Sequence, residues 1–282
     1  MEEGVDPSLR ALFHQRLERE FPNVSKYVRL AEDANKWSKA AKHYDNLLDL
    51  ENDLAHISAC ILLFVESAGS IAELGAFSQA PALREKLVAV LEHGHQRDDS
   101  FINNGPVANL RSHNPDSVIF YPWLSSGDKH ANRRLDKGEA YETVTLLLKW
   151  LSEYMAGLRK EEKFRKAERA HTLLLIADCI NLGTIFLYKE ILASLKALGV
   201  DFAPKDLEKC LFLLQKLELI DETQYGNNTY YVSGRVNAEF VHYAYKQKGK
   251  FWDRQQVIFD IGEPLLLDSH RKNAWKLYLE GR

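Results

Sequence analysis

Three short apolar segments, each followed by a polar loop or a helical pattern, constrain the fold of the first half of the chain most strongly. They cover residues 58–67, 84–92 and 116–123. Their apolar runs are continuous rather than alternating, as in strands that are buried on both faces of a parallel sheet. Strands that alternate with helices are typical of α/β proteins. We therefore predict an α/β fold with a Rossmann-like or flavodoxin-like parallel sheet and helices on both faces.

The second half of the chain has a different pattern, which is mostly helical. Three helical segments are expected, over residues 168–183, 184–199 and 204–220. Two short strands around the Gly226-Asn227-Asn228 turn follow them. This order is that of an α-rich winged helix-turn-helix domain. We predict two domains, residues 1–158 and residues 159–282, the second ending in a C-terminal tail after a further helix over residues 235–247.

The composition excludes several classes of protein. Hydrophobic residues make up 45% and charged residues 27% of the chain, as in a folded globular protein. No apolar run approaches the ~20 residues that span a bilayer, and the first ten residues carry no signal-peptide pattern. Cys60, Cys179 and Cys210 stand singly in apolar segments, which favours buried thiols in a reducing compartment over disulfides. We expect a cytoplasmic protein without membrane association.

The loop after the first apolar segment is the best candidate for a ligand site. In open α/β sheets, ligands bind beyond the carboxyl ends of the strands, where loops lead into helices. Here that loop contains Ser67, Gly69 and Ser70. Small residues let a ligand approach the backbone, and the N–H groups and positive dipole end of the next helix suit a phosphate. Gly69 and Ser70 are therefore candidate contacts to a phosphate, and Ser67 is a candidate substrate-binding residue.

Glu73 follows this loop and has two interpretations. Ser70 and Glu73 have the spacing of a capping box, in which both side chains only satisfy N–H groups at the start of a helix. A carboxylate at the mouth of the cleft could instead attack an anomeric carbon, as in retaining glycoside hydrolysis. The local sequence by itself favours the capping interpretation.

A resemblance to a known family favours catalysis. Residues 51–60, ENDLAHISAC, and residues 69–75, GSIAELG, resemble the nucleoside 2-deoxyribosyltransferase family, which has an N-D-L element before a buried strand and a G-S/T-x-x-E-hydrophobic-G element after it. The resemblance places Glu73 at the nucleophile of that family and Asp53 at an acidic residue that contacts the nucleoside. The family also has an Asp six positions before the nucleophile. This chain has Ser67 there, with Glu66 beside it.

A narrower resemblance covers residues 47–118. Two motifs in this range are similar to those of the deoxyribosyltransferase-like effectors of bacterial retron antiphage systems. They are F-x-E-S-x-G-S-x-x-E-L-G-A-F-S and, after it, S-F-I-N-x-G-P-V. Those effectors also carry a C-terminal winged helix. The resemblance implies a toxin that is held by the retron reverse transcriptase and its RNA-linked DNA (msDNA), and that destroys NAD on phage infection. It also implies a homo-oligomer, because related enzymes complete their sites across subunits.

The resemblance suggests a mechanism in which Glu73 attacks C1′ of the nicotinamide riboside of NAD. Nicotinamide leaves as a neutral molecule, so no strong general acid is needed. NAD is then the substrate, and no cofactor is expected. The supporting roles are a second carboxylate at Glu66, ribose contacts at Glu51 and Asp53, and base contacts at Asn103 and Asn104. Glu66 as a solvated loop residue and the two asparagines as turn-formers around Gly105-Pro106 are the alternatives. His93 and His95 lack a third ligand at a recognisable spacing, so no metal site is expected.

Nucleic-acid binding depends on local patches, because the net charge is −3. Basic clusters lie at residues 159–169 and 246–254. In the expected winged helix, the candidate phosphate contacts are Lys205, Lys209, Lys216, Asn227 and Asn228. Acidic residues share this surface, so a protein partner is an equal alternative.

Three further questions stay open at this stage. The deoxyribosyltransferase family opens with a strand before the helix that begins here near Pro7, and residues 1–6 are too short to supply it. Either the sheet lacks its first strand or the true start lies upstream. A deoxyribosyltransferase of nucleotide salvage is one rival function. A DNA-binding regulator whose nucleotide domain senses a ligand without turnover is the other.

Overall fold

The computed structural model describes residues 8–31, 42–125, 134–158, 161–234, 239–244 and 251–281. In chain order, its elements are α1 (Leu9–Glu20), α2 (Pro22–Ser25), α3 (Leu47–Ile57), β1 (Ile61–Phe64), α4 (Ala68–Gln79), α5 (Pro81–Arg84), β2 (Leu87–Glu92), α6 (Ala108–His113), β3 (Val118–Tyr121), α7 (Lys137–Gly157), α8 (Arg169–Gly183), β4 (Ile185–Leu187), α9 (Tyr188–Ala197), α10 (Pro204–Lys216), β5 (Ile220–Tyr225), β6 (Asn228–Ser233), α11 (Arg254–Leu266) and α12 (Ser269–Glu280).

The chain divides into two compact units. The first consists of residues 1–29 and 58–162, and the second of residues 30–57 and 163–282. Residues 30–57 fall within the range predicted for the first domain, yet α3 packs against α8 of the second unit. The polypeptide therefore enters the second unit, returns to the first, and finally completes the second.

The first unit is built on a parallel sheet of three strands in the order β1-β2-β3. Leu63 pairs with Ala89, and Val90 pairs with Ile119. Every residue of β2 is buried, so both faces of the sheet are covered at its centre. The continuous apolar runs of the three segments thus predicted these strands correctly. The question of an additional first strand falls on residues 1–7, which lie outside the described residues.

Helices α1 and α7 pack together on one side of this sheet. Phe13 of α1 lies against Phe64 of β1, with ring centroids 5.3 Å apart, and Val144 and Leu147 of α7 join the same core cluster. Successive side chains of a strand point to opposite faces, so the neighbours of Val90 face the other side. Helix α4 contacts both β1 and β2.

A buried guanidinium fastens α1 to α7. Arg16 is 5% exposed, donates to the backbone carbonyl of Tyr141 and to the hydroxyl of Thr145 at 2.8 Å each, and lies over the Tyr141 ring. It also makes two hydrogen bonds to the carboxylate of Glu20. The hydrogen bonds from Arg16 and Arg19 lower the pKa of Glu20 to about 2.

The second unit is organised around α8, whose residues from Leu175 to Gly183 are all buried or nearly so. A helix that is apolar on all sides belongs at the centre of a domain. Helices α9 and α10 contact it, and β4, β6 and β5 form an antiparallel sheet in the order β4-β6-β5. A helix lies within each of the three predicted helical segments, and the predicted hairpin is confirmed, with Gly226 of its turn at a φ of +59°.

Strand β4 differs from the sequence prediction, which placed one helix over residues 184–199. Thr184 ends α8 with a φ of +66°, a conformation that L-residues rarely adopt. The backbone then runs extended through Ile185–Leu187 and pairs with β6 before α9 begins. The ring of Phe186 packs closely against the backbone of Gly183, the last residue of α8. A Cβ built on Gly183 would lie 2.2 Å from that ring.

The end of the chain also differs from the prediction. A helix was predicted over residues 235–247. Of these, the structure describes residues 239–244, which are not helical, so the prediction is wrong there. The backbone N–H of Phe240 instead donates to Asp178, a fully buried carboxylate that also accepts two hydrogen bonds from Arg254 of α11. In α12, Arg271 donates to the carbonyl of Ile185 and to Glu190. The expected tail is therefore two helices held by buried ion pairs.

None of the helices that the structure describes is both long enough and apolar enough to span a membrane.

Substitution of Gly183 tests the packing of the second unit. We expect Gly183→Ala to destabilise this unit by about 1–3 kcal/mol, because the added methyl group collides with Phe186. Gly75→Ala is the matched control, since a Cβ there meets no atom within 4 Å and alanine favours a helix. Thermal and urea unfolding of both variants provide the measurement. Equal stability of the two variants would contradict the close packing at Gly183.

The Arg16–Glu20 ion pair within α1 predicts that the stability of the protein depends on pH in the acid range. A carboxyl group whose pKa is lowered by folding stabilises the protein above its unfolded pKa of about 4.3, and this contribution disappears as the pH falls through the folded value. We therefore expect Glu20→Gln to be less stable than the wild type at pH 7, with a difference that shrinks between pH 4 and about pH 2. Unfolding midpoints measured across this range test it, and a difference independent of pH would contradict it.

Candidate active-site loop

The loop between β1 and α4 is held by reciprocal hydrogen bonds between two serines. The hydroxyl of Ser67 accepts from the N–H of Ser70 at 3.2 Å, and the hydroxyl of Ser70 accepts from the N–H of Ser67 at 2.9 Å. The Ser70 hydroxyl also accepts from the N–H of Glu66 and donates to the carbonyl of Ser67. Ser67 is thus the N-cap of α4, and Ser70 is its third residue.

This arrangement corrects the capping interpretation of Glu73. The helix begins three residues earlier than the expected start, and Ser70 rather than Glu73 is the reciprocal partner of the N-cap. Glu73 is the sixth residue of α4 and half-buried, in its second turn. Its position in the sequence is therefore not explained by capping.

The start of α4 offers N–H groups to an anion. The first N–H groups of a helix have no carbonyl acceptor within that helix, and they lie at its positive end. In α4 these groups belong to Ala68 and Gly69, both of which are exposed, as is Ser67. Ser70 is only 9% exposed, and its hydroxyl already makes several hydrogen bonds within the loop. Ser70 therefore shapes the loop, while its contact with a substrate stays a prediction.

Gly69 is not required by the packing of the protein. A Cβ built there would meet the Ser67 hydroxyl at 3.6 Å, an ordinary contact distance, and its backbone conformation is not left-handed. A glycine that the fold does not need is consistent with close approach of a ligand to the backbone, as the sequence suggests.

Glu66 has a structural role that the sequence did not indicate. Its two carboxylate oxygens accept hydrogen bonds from the N–H groups of Leu9 and Arg10, at 2.7 and 3.1 Å. The carboxylate thus caps the N-terminus of α1, whose positive dipole end it also faces. The starts of α1 and α4 consequently meet at the same loop. A catalytic role for Glu66 stays a prediction.

The two predicted base contacts lie in a helical segment rather than an open loop. Asn103–Val107 forms a π-helical turn that contains Pro106, continues into α6 and contacts α4. The side-chain amide of Asn103 donates to the carbonyls of His95 and Asp98, at 2.8 and 2.7 Å, and that of Asn104 donates to Asp99. Both amide groups fasten residues 95–104, so their contact with a base stays a prediction.

The histidines of this segment do not assemble a metal site. His95 contacts Asp98 at 2.9 Å. Within the described ranges, no three histidine, cysteine, aspartate or glutamate side chains lie together as metal ligands would.

The remaining predicted substrate contacts lie on α3, in the second unit. Asp53 accepts two hydrogen bonds from Arg169, at 2.9 and 3.2 Å, and a third from the hydroxyl of Tyr44 at 2.9 Å. Burial and the neighbouring Asp53 carboxylate raise the pKa of Tyr44. Glu51 is 6% exposed. Asp53 thus fastens α3 to α8, and the ribose contacts of Glu51 and Asp53 stay predictions.

Neither hydrogen-bond partner of Asp53 was predicted from the sequence. Arg169 belongs to the basic cluster at residues 159–169, which suggested a surface for phosphates, yet its guanidinium is paired within the unit. Tyr44 is 2% exposed and stood outside every motif. A buried aromatic residue nine positions before an acidic one carries no recognisable signal.

The candidate nucleic-acid contacts are spread over α10 and the hairpin. Lys205 is exposed, as are Asn227 and Asn228 at the hairpin turn. The ammonium groups of Lys209 and Lys216 lie 5.5 Å from the ring centroids of Tyr44 and Phe212, respectively. Part of the predicted basic surface is therefore occupied by cation–π contacts within the unit.

Comparison with known proteins identifies the family. The model of the STM3845 retron effector protein family matches residues 6–222. This chain belongs to the STM3845 retron effector family. Two Escherichia coli relatives carry names that give ribosyltransferase and DNA binding as provisional roles. The retron Ec86 protein is 33% identical over 152 residues, which is 54% of this chain and 47% of that protein. The retron Ec73 protein is 33% identical over 120 residues, or 42% and 38%.

The chain thus spans less than half the length of either relative in these matches. The resemblance to retron effectors is confirmed at the level of the family. The activity, substrate and partners of the whole protein are matters of proposal.

Substitutions of Glu66 and Glu73 are expected to change the stability of the protein to different extents. We expect Glu66→Ala to destabilise the first unit by about 1 kcal/mol, because the N–H groups of Leu9 and Arg10 lose this acceptor while Ser8 still accepts from Ala11. Glu73→Gln is expected to be the less destabilising change, because Gln keeps the shape of the side chain and the substitution leaves the Ser67–Ser70 capping box of α4 intact. Chemical unfolding curves give both values. If Glu73→Gln were the more destabilising change, the assignment of Glu66 as the structural cap of α1 would be wrong.

Proposed function

We propose that this chain is the effector toxin of a retron antiphage system and cleaves the N-glycosidic bond of a nucleotide, with Glu73 as the nucleophile. The observation that carries the proposal is the position of Glu73 in the second turn of α4, where it does not serve as a cap. The exposed helix start at Ser67–Gly69 lies one turn before it and suits a substrate phosphate. The ribosyltransferase role in the names of the relatives supports the same chemistry.

The most suitable substrate is NAD, for a reason of leaving-group chemistry. A carboxylate oxygen of Glu73 forms a bond to C1′ while the bond from C1′ to the nicotinamide nitrogen breaks. The electron pair of that bond neutralises the positive pyridinium, so nicotinamide leaves without receiving a proton. Water then attacks C1′, loses a proton to solvent, and releases ADP-ribose and the Glu73 carboxylate.

The structure of the loop favours this substrate over a deoxynucleoside. An adenine or guanine base leaves readily only after it is protonated, which requires a general acid. The two carboxylate oxygens of Glu66 accept hydrogen bonds from the N–H groups of Leu9 and Arg10 at the start of α1. Glu66 is therefore engaged by α1 and not positioned to deliver a proton to a base. Exchange of bases in nucleotide salvage is accordingly the second candidate.

We further propose Rossmann-like and winged-helix folds for the two units. The first has a parallel sheet whose first strand is followed by the candidate loop. In the second, the order helix, strand, helix, helix and hairpin, with β4 paired to β6, is that of a winged helix. As partners we propose the retron reverse transcriptase and its msDNA, and a second copy of the chain, with Lys205, Asn227 and Asn228 as phosphate contacts. The DNA-binding role in the relatives' names supports the nucleic-acid partner.

The nucleophile can be tested directly. We expect the purified protein, or the protein with its retron partners, to convert NAD to nicotinamide and ADP-ribose, and Glu73→Gln to reduce the rate by at least about 10³-fold. Glu85→Gln, a change at an exposed residue of the same unit, is the matched control and should retain activity. Product formation is followed by chromatography, and cellular NAD by enzymatic assay after expression.

Three other outcomes would replace this proposal. Base exchange between deoxynucleosides without loss of NAD would indicate a salvage transferase. Nucleotide binding without turnover, with an unchanged phenotype for Glu73→Gln, would indicate a sensor. Equal NAD hydrolysis by the wild type and Glu73→Gln would assign the nucleophile to another residue.

A further inference from the structure

Helix α10 is enclosed by its own unit along most of its length. Leu207, Leu211 and Leu214 are buried in the core that α10 shares with α8. On another side, the ring of His43 stacks on Phe212, with centroids 4.7 Å apart, and Tyr44 lies against the same ring. A helix that enters the major groove of a duplex needs an exposed face along several turns. Such a face is not available on α10 in this conformation.

Helix α10 borders a cavity. It has a volume of about 440 Å³ and lies between the segment Lys42–His43, α10 and the paired strands β5 and β6. Small-molecule sites typically have volumes of ~300–1,000 Å³. All of its lining residues belong to the second unit: Lys42, His43, Glu208, Leu211, Phe212, Gln215, Lys216, Glu222 and Tyr231.

The lining combines flat rings with charges of both signs. His43 and Tyr231 provide ring surfaces, on which nucleobases stack irrespective of sequence, while the ring of Phe212 supports His43 from below. Burial raises the pKa of Tyr231 to about 12, so its hydroxyl is a neutral donor at physiological pH. Lys216 and Glu222 add a cationic donor and an anionic acceptor. The side-chain amide of Gln215 donates to Glu222 at 2.8 Å, which fixes the orientation of that carboxylate.

This combination matches one nucleobase better than the others. Guanine presents two acceptors, O6 and N7, on one edge, and lysine is a common partner of that pair. Its other edge carries the N1–H and the 2-amino group, two parallel donors that a carboxylate accepts together. Adenine has no such pair of donors, and cytosine has one amino group. A lysine and an oriented glutamate in one ring-lined cavity therefore favour guanine.

We propose that the cavity between Lys42–His43, α10 and the β5–β6 hairpin binds a guanine base, either of a free guanine nucleotide or of an unpaired guanine in single-stranded nucleic acid. Glu222 accepts from N1–H and the 2-amino group, Lys216 donates to O6 and N7, and the rings stack on the base. The proposal deepens the nucleic-acid role proposed for the second unit and does not depend on the chemistry of Glu73.

The test is binding of defined nucleotides to the purified full chain, measured by titration calorimetry. The probes are 5′-GMP, 5′-IMP, 5′-AMP and 5′-CMP, with a pentamer of thymidine and the same pentamer with one central dG. We expect GMP or the dG pentamer to bind at least about tenfold more tightly than its adenine, cytosine or thymine counterpart. IMP, which lacks the 2-amino group, should bind more weakly than GMP.

Variants connect the binding to the cavity. Glu222→Gln should weaken GMP binding roughly tenfold or more and remove the difference between GMP and IMP. Glu85→Gln, in the other unit, is the matched control and should bind GMP as the wild type does. Circular dichroism confirms that each variant is folded, and His43→Ala gives a second variant in which loss of a ring should weaken all bases alike.

The outcomes distinguish a free guanine nucleotide from a guanine in single-stranded nucleic acid, and both of them from a protein partner. Binding of GMP indicates a free nucleotide, and binding of the dG pentamer alone indicates single-stranded nucleic acid; either supports the proposal. Equal affinity for GMP and AMP, or guanine binding unaffected by Glu222→Gln, overturns it. Binding of an arginine-rich peptide without binding of GMP or the dG pentamer also overturns it, in favour of a protein partner. Hydrolysis of NAD by a chain that binds no guanine would leave the proposed activity intact while this inference failed.

Discussion

The hydrogen bonds between Ser67 and Ser70 determine where α4 begins, and the chemistry available at the carboxyl end of β1 depends on that start. They place Ser67 at the N-cap, so the exposed N–H groups of Ala68 and Gly69 occupy the first helical positions. They also move Glu73 from the first turn into the second. A carboxylate in the first turn serves the helix as a cap. One turn later, it can serve a substrate whose phosphate lies at the helix start.

Glu66 completes this arrangement from the other side of the loop. Its carboxylate faces the N-terminus of α1 and neutralises the positive end of that helix. Of the two helix starts that meet at the loop, Glu66 faces that of α1, and that of α4 is the one we propose for the substrate phosphate. The same contact ties the loop to α1, whose Phe13 packs on β1 and whose Arg16 is locked to α7. A loop fastened at both ends is suited to hold a nucleophile in one place.

The sequence predicted those elements whose structure depends on residues close together in the chain. The apolar runs gave β1, β2 and β3, and glycine gave the hairpin turn at Gly226. The predicted start of α4 was three residues too late. Ser67 and Ser70 both suit an N-cap, and each has a possible capping-box partner three residues later. Strand β4 was missed because its extended backbone depends on pairing with β6, more than 40 residues later along the chain. The pairing of Asp53 with Arg169, 116 positions apart, has no local signal at all.

The acidic residues singled out by the sequence differ in how much hydrogen-bonding capacity the fold takes from them. A carboxylate has about four acceptor positions. Arg169 and Tyr44 occupy three of those of Asp53, and two backbone N–H groups occupy two of those of Glu66. Replacing either residue therefore removes a structural contact as well as any catalytic one, so a loss of activity would not identify its role. Glu73 is not part of the capping box of α4, so its substitution leaves that cap intact and is the informative one. A nucleophile must present an oxygen to the anomeric carbon, and Glu66, whose two oxygens accept from the N–H groups of Leu9 and Arg10, is poorly placed to do so.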